Sequence, residues 1–291
     1  MDKRRITQII AAITTNANIN GFLKGTIYKG NTKKICVPGL NCYSCPGAMG
    51  SCPIGSLQAA IGTVKYDFSF YIVGLMSLFG VIFGRFICGW LCPFGLIQDL
   101  LHKIHSKKIK VNEKVNNVLK YLKYVILALF VILLPMFLVN EFGISPPYFC
   151  EYICPAGTLE GGIPLVLMNA SLRGSLGYLF GWKIIVLSSI VVASIFIYRP
   201  FCRYLCPLGA FYALFNKMSF YKYEVDKNKC TNCGACVHKC KINIEVYKNP
   251  NSAECIRCGE CVKICPAKAI KKGFNFRTSC SARHSKKDVG A

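Results

Sequence analysis

The sequence predicts an α-helical membrane protein of three to four transmembrane helices, followed by a small, cysteine-rich α+β domain. Three observations carry this reading. Apolar residues fill 53% of the 291 positions, more than an ordinary soluble domain holds. Several apolar runs approach the ~20 residues that a membrane-crossing helix needs. The chain also contains 19 cysteines. Disulfide scaffolds of that cysteine density are short secreted chains, so here the cysteines point to metal binding. The expected organisation is a helical domain over 1–221, a small domain over 222–272 and a basic, disordered tail over 273–291 that carries Cys280 as a spare thiol.

Taken in order, the first candidate span, 6–23, is weak. It contains Asn16, Asn18 and Asn20, so an interfacial helix is the alternative, and Lys3, Arg4 and Arg5 precede it. A signal peptide fits poorly, because no clean small-residue cleavage site follows the short apolar core. The strong candidates are 68–87, 122–139 and 178–198. Pro135 is expected to kink the second, and Tyr178 and Trp182 suit an interfacial belt at the start of the third. Orientation follows from charge. The N-terminus, Arg85, the loop from Lys103 to Lys123 and everything from Arg199 onward together hold 29 of the 36 basic residues. That side is expected to be cytoplasmic, making this a multi-pass protein of the cytoplasmic membrane with its C-terminal domain inside. The formal charge of +23 therefore tracks topology and gives no reason to expect nucleic acid.

One short element recurs four times, as "CPIGSLQ" from Cys52, "CPFGLIQ" from Cys92, "CPAGTLE" from Cys154 and "CPLGAFY" from Cys206. In three copies another cysteine stands four residues earlier, at Cys88, Cys150 and Cys202. Before Cys52 the nearest are Cys45 and Cys42. Two copies face in and two face out, which suggests two halves of opposite orientation. Cysteines at i and i+4 of a helix share a face, so both thiols of a pair can address one object. Pro then suits the first turn of a new helix, whose N-terminal N–H groups favour an anion.

After the last span, "CTNCGACVHKC" at 230–240 and "CIRCGECVKICP" at 255–266 each read C-x2-C-x2-C-x3-C. In this spacing three thiolates of one run and the fourth of the other hold a cubane cluster. Cys230, Cys233, Cys236 and Cys265 are expected to hold one [4Fe–4S] cluster, and Cys255, Cys258, Cys261 and Cys240 the second. Zinc also uses C-x2-C, but has no need of two such tight runs of four. Lys241 stands where this pattern carries Pro, which predicts a local backbone difference. Over roughly 225–272 the chain resembles the two-cluster bacterial ferredoxins.

The remaining cysteines leave alternatives. Single cysteines pack as small hydrophobes, but Cys88, Cys92, Cys202 and Cys206 occur as two pairs in matching contexts. They could hold zinc; one iron–sulfur cluster between two helices is the favoured reading. On the outer side, disulfides or a thiol-exchange pair in "CYSCP" compete with a second membrane cluster. By analogy with the inner set, that cluster would use Cys45, Cys52, Cys150 and Cys154, with Cys42 as the alternative ligand. His102 and His105 could ligate haem, but at a basic interface plain surface residues are the better expectation.

Helices ending in C-x3-C-P before a two-cluster domain resemble the NapH-type membrane ferredoxins, with NosR-type and CcoG/FixG-type proteins as relatives. The resemblance spans roughly 68–272. It implies electron transfer between quinol or cytoplasmic carriers and redox partners at or beyond the membrane. The expected function is thus a membrane iron–sulfur electron conduit with two [4Fe–4S] clusters and one or two further clusters in its helical domain. Soluble ferredoxin or flavodoxin would be the partner inside, attracted by Lys239, Lys241, Lys263, Lys268, Lys271 and Lys272, and a flavoprotein or other acceptor the partner outside. The competing readings are a quinol dehydrogenase subunit, which needs a quinone pocket that the sequence does not mark; a metal reductase or assembly factor, for which the outer segments are poor in Met and His; and a membrane redox sensor, for which no regulatory domain is visible.

Overall fold

The computed structural model describes residues 3–62, 70–109, 111–138, 145–174 and 176–274. Lys110 of the basic loop, Cys280 and the tail from 275 onward lie outside the described residues. The fold is mostly helical, with one two-stranded sheet near the C-terminal end of the described chain.

Among the described residues, two helices are long and apolar enough to cross a membrane, Glu113–Phe137 and Tyr178–Phe196. Their apolar side chains are largely uncovered by protein; Leu129, Phe137, Ile185 and Val192 are all exposed. The first of them starts earlier than its apolar run, because Asn112 caps it by accepting from the Lys114 N–H at 3.1 Å and Glu113 occupies the first turn. Ahead of Pro135 the helix widens into π-type turns over Leu127–Leu133. Wider turns ease the clash between the proline ring and the preceding carbonyls. The same widening over Gly157–Gly162 precedes Pro164.

The expected 68–87 span is a 14-residue helix, Phe70–Phe83, within the described residues. Gly84, at φ +52, turns the chain into a separate five-residue helix, Phe86–Trp90. Arg199, at φ 50, does the same after Tyr178–Phe196 and opens Pro200–Tyr204. The 6–23 segment is two helices, Lys3–Thr15 and Ile19–Lys24. Between them Asn16 donates to the Ala12 carbonyl at 3.0 Å and Asn18 to the Pro46 carbonyl at 2.9 Å, so the polar residues that break the run find partners in protein.

A single hydrophobic core joins Leu40, Ile54, Ile87, Phe149, Phe201 and Tyr212 with the cysteines of all four C-P-x-G copies. A second, small core around Tyr223, Ile244, Val246 and Ile270 lies under the C-terminal sheet. There Tyr221–Val225 pairs antiparallel with Ile270–Phe274, Val225 lying opposite Ile270. The short helices Ala235–Lys239 and Glu260–Ile264 pack on each other.

Candidate metal centres

The two C-terminal cysteine runs fold alike. In each C-x2-C the residue before the second cysteine is left-handed, Asn232 and Arg257 both at φ 53, and the next glycine is too, Gly234 at φ 73 and Gly259 at φ 85. Left-handed residues among right-handed ones turn successive N–H groups into one concavity, which favours an anion. Asn243 (φ 59) and Lys268 (φ 48), three residues after Cys240 and Cys265, repeat the conformation. The first run thus keeps the left-handed corner of the second, despite Lys241 in place of Pro. Lys241 lies instead over the Tyr198 ring, 5.1 Å from its centroid.

Cys230, Cys233, Cys236 and Cys265 line one cavity, and Cys240, Cys255, Cys258 and Cys261 line another, so the last cysteine of each run lies at the cavity of the other. Burial pushes the Cys255 thiol up to about 11 and Cys261 up to about 12. Cys233 is exposed, and the Ala235 N–H and Thr231 hydroxyl hold its thiol below the usual range. Buried thiols of this kind ionise when a metal replaces the proton. Among the described residues, no group of three or more His, Cys, Asp or Glu converges as the ligands of a single metal ion do. Four thiols lining one cavity are the number that a cubane cluster takes as ligands.

The second of these loops is fastened to the helical part. Arg257, fully buried, donates to the Phe83 carbonyl at 2.8 Å, the Asn216 carbonyl at 2.6 Å and the Ser219 hydroxyl at 2.7 Å. Its own carbonyl accepts from Trp90 Nε1 at 3.0 Å and the Tyr223 hydroxyl at 2.9 Å. These five bonds hold an arginine in a backbone conformation that costs a non-glycine residue free energy. Beside it Glu254 accepts from Lys123 Nζ at 2.5 and 2.6 Å and from Arg85 Nη1 at 2.9 Å. Burial pushes the Glu254 carboxyl up, but Arg85 and Lys123 outweigh it and hold the group below the usual range. Gly89, next to Cys88, lies so close to the Ile256 carbonyl that a Cβ there would collide with it.

Cys88, Cys92, Cys202 and Cys206 are all buried in the main core, and the structure brings them together. The route differs from the i, i+4 expectation. Cys88 lies on Phe86–Trp90, whereas Cys92 is extended and caps the next helix, Pro93–Leu101. Cys202 and Cys206 repeat this on Pro200–Tyr204 and Pro207–Phe215. The pair therefore meets across a helix corner. In both corners the cap sulfur accepts from a glycine N–H at 3.4 Å, Gly95 for Cys92 and Gly209 for Cys206. The fit is tight there: a Cβ on Gly95 would lie 3.2 Å from the Cys88 carbonyl oxygen, and one on Gly209 3.1 Å from that of Cys202, so either carbonyl would have to give way by a few tenths of an ångström. Gln98 Nε2 donates to Cys202 Sγ at 3.0 Å.

Two buried arginines brace these corners against each other. Arg85 donates to the Cys202 carbonyl at 3.1 Å, and Arg199 to the Cys88 carbonyl at 2.6 Å. Arg199 is also held by both oxygens of Asp99, at 2.7 and 2.6 Å, and Arg4 joins the same carboxylate at 2.5 Å. Sequence reasoning passed over these residues, although a signal was present: an arginine stands three before Cys88 and three before Cys202, and none stands three before Cys150. His102 packs edge-on against Tyr198, with ring centroids 5.3 Å apart, and His105 is exposed.

A further cavity of about 340 Å³ is lined by Cys42, Cys52, Cys150 and Cys154. Cys45 is not among its lining residues; its sulfur faces Asn16 Oδ1 at 3.6 Å. Lys33 closes the loop around Cys45 by donating to the carbonyls of Tyr43 at 2.8 Å and Ala48 at 2.7 Å. All 18 described cysteines are free thiols.

A 4Fe-4S binding domain model matches residues 66–112, 123–163 and 179–222, and a 4Fe-4S dicluster domain model matches 222–266. An uncharacterized protein of Methanocaldococcus jannaschii is 32% identical over 68% of this chain and 75% of its own length. The methylamine utilization ferredoxin-type protein MauN of Methylorubrum extorquens is 28% identical over 81% of this chain and 73% of its own. Regulatory protein NosR of Stutzerimonas stutzeri is 26% identical over 56% of this chain and 21% of its own. The chain spans from about three quarters to about a fifth of the length of such relatives. No solved structure matches it. With 4Fe–4S-binding domains along most of its length, the chain belongs to the NapH/NosR-type family of membrane-associated ferredoxin-like proteins.

Proposed function

We propose that this protein carries electrons between a cytoplasmic donor and a redox partner at or beyond the membrane. The helices Phe70–Phe83, Glu113–Phe137 and Tyr178–Phe196 would cross or enter the bilayer, with the ferredoxin-like segment from 222 on the cytoplasmic side. Cys230, Cys233, Cys236 and Cys265 would hold the entry cluster, the one with an exposed ligand in Cys233. Cys255, Cys258, Cys261 and Cys240 would hold the second. Cys88, Cys92, Cys202 and Cys206 would hold an inner centre set into the helices. When bound, these clusters supply one-electron chemistry. The chain's own residues orient them, keep water out and aim N–H donors at the sulfurs.

The observation that carries this reading is the seating of the Cys255–Cys258 loop on the inner set. Ile256 and Arg257, between two ligands of the second cluster, pack directly on Gly89 and Trp90, between Cys88 and Cys92. Loop and corner are in direct contact, which offers an electron a path through protein. The lysines around the entry cluster would attract an acidic carrier such as a soluble ferredoxin or flavodoxin.

The test is reconstitution into liposomes that enclose ferricyanide, with reduced soluble ferredoxin outside. Ferredoxin should lose one electron for each internal ferricyanide reduced, in vesicles whose C-terminal segment faces the donor, and Cys92→Ala should stop the transfer. Fully iron-loaded wild-type protein that passes no electrons would overturn the reading.

A further inference from the structure

The cavity bounded by Cys42, Cys52, Cys150 and Cys154 has no part in the function argued so far. It is built like the inner set. Cys52 and Cys154 are cap cysteines of C-P-x-G corners, and each sulfur receives the N–H of the glycine three residues on, Gly55 and Gly157. Gln58 Nε2 donates to Cys150 Sγ at 3.3 Å, as Gln98 does to Cys202. The two glutamines hold the same place, six residues after their cap cysteine. Ser44 N–H points at Cys42, and the Ile54 and Asn41 N–H groups give Cys52 two further donors. Every sulfur thus has at least one N–H directed at it, as an anionic thiolate requires.

Room and unpaired polarity complete the site. The cavity opens beside the exposed Tyr43 and offers about 340 Å³ next to the four sulfurs. Asn41 lines this space with its side chain fully buried, and neither its Nδ2 nor its Oδ1 has a partner. A buried amide with both ends unpaired is rare and points to a ligand. The corner glycines lie against the sulfurs of the facing segments: a Cβ on Gly55 would lie 3.9 Å from Cys150 Sγ, and one on Gly157 3.9 Å from Cys42 Sγ.

We infer that this cavity is a fourth iron–sulfur site, holding a cubane cluster on Cys42, Cys52, Cys150 and Cys154, with the Asn41 amide donating to it. The inference rests on the electron-transfer reading above. It replaces Cys45 by Cys42 in the ligand set that analogy suggested. The site adjoins the inner set. The segment from Pro38 to Cys42 reaches both, since Leu40 N–H points at Cys92 while Asn41 N–H points at Cys52. A Cβ on Gly39 would lie 3.0 Å from the Cys92 Cα, so the segment passes tightly against that corner. Tyr212 holds the segment from the other side, its hydroxyl donating to the Pro38 carbonyl at 3.0 Å.

The test is iron, sulfide and zinc content of the anaerobically purified full chain, with Mössbauer spectra. Wild type should bind about 16 iron atoms, and Cys42→Ala and Cys150→Ala should each lose up to about four, while Cys45→Ala loses none. Asn41→Leu leaves every ligand in place; it should keep the iron and lower the reduction potential of one cluster only. A loss in Cys45→Ala but not in Cys42→Ala overturns the ligand set, and so does one zinc per chain in place of the fourth cluster. The two readings fail differently. About 12 iron atoms, falling to about 8 in Cys92→Ala and unchanged in Cys42→Ala, would sink this site alone. About 8 in wild type, unchanged in Cys92→Ala, would sink the inner centre as well.

Discussion

Replacing Glu254 by Gln removes the one anion between Lys123 and Arg85. Both cations are almost completely out of water, with side chains 0% and 1% exposed, and Glu254 itself is 15% exposed. Removing one partner of a buried ion pair costs about 3–5 kcal/mol, because the charge left behind is uncompensated. Glutamine still offers an oxygen to Lys123, which argues for the lower end, about 3 kcal/mol. Glu254 adjoins Cys255 and the Arg257 anchor, so the loss falls on the seating of the ferredoxin-like segment rather than on the apolar helices. An opening equilibrium shifted by about 3 kcal/mol is a change of roughly 150-fold. Hydrogen exchange on the full chain in nanodiscs reads it directly. Amides of Tyr221–Val225 and of the 255–258 loop should exchange roughly 100-fold faster, and those of Tyr178–Phe196 at the wild-type rate. Adding Lys123→Met to Glu254→Gln removes one of the stranded cations and should restore more than half of the protection. Wild-type exchange in the Glu254→Gln protein would refute the reasoning, since it would mean that water already screens the pair.

Three other outcomes are expected. Gly89→Ala forces the Ile256 carbonyl away, so rapid-mixing reduction of the inner centre should slow at least about 10-fold while iron content and helical content hold. If the four inner cysteines are one site, Cys92→Ala, Cys202→Ala and the quadruple variant should lose the same amount of iron, with the signals of the ferredoxin-like segment as internal control. For topology, cysteines placed at Lys107 and Lys271 should be labelled by membrane-impermeant reagents only from the cytoplasmic side, and one at Lys34 only from outside. Position 34 serves because Lys33 is buried against the carbonyls of Tyr43 and Ala48.

What the sequence made legible was periodicity and spacing. Cluster-ligand spacing is a property of short loops, so Cys230 to Cys240 and Cys255 to Cys265 could be sorted into two sets before any fold was known. Apolar run length marked the bodies of Glu113–Phe137 and Tyr178–Phe196, while the start of the first was set by Asn112 and the end of the second by extended Ile197. The C-P-x-G corners were visible as repeats, but not as corners. An i, i+4 spacing reads the same whether the helix continues or, as at Leu91 and Leu205, stops between the two cysteines. The choice between Cys42 and Cys45 depended on where a loop of more than ten residues folds back, and nothing local in "CYSCP" decides it. The arginine braces were missed because their partners are backbone carbonyls more than 100 residues away.

The reciprocal bracing has an evolutionary side. Arg85 reaches the Cys202 carbonyl and Arg199 the Cys88 carbonyl, so each corner gives what it receives. That is the pattern of an isologous, two-fold interface, here drawn inside one chain. A peptide bearing a single arginine–cysteine corner would complete the same four-sulfur arrangement by pairing with a copy of itself. Fusion of two such peptides frees each copy to change alone. The residues six after each cap cysteine show that freedom in part: Gln58 and Gln98 stay alike, while the other two copies carry Glu160 and Tyr212. The symmetry is also broken where it counts. The counter-ion of Arg199 is Asp99, on the helix Pro93–Leu101 of the facing corner, whereas that of Arg85 is Glu254, lent by the ferredoxin-like segment. Of the two bracing arginines, only Arg85 therefore draws its counter-ion from that segment, and a symmetric pair of corners acquires a front and a back.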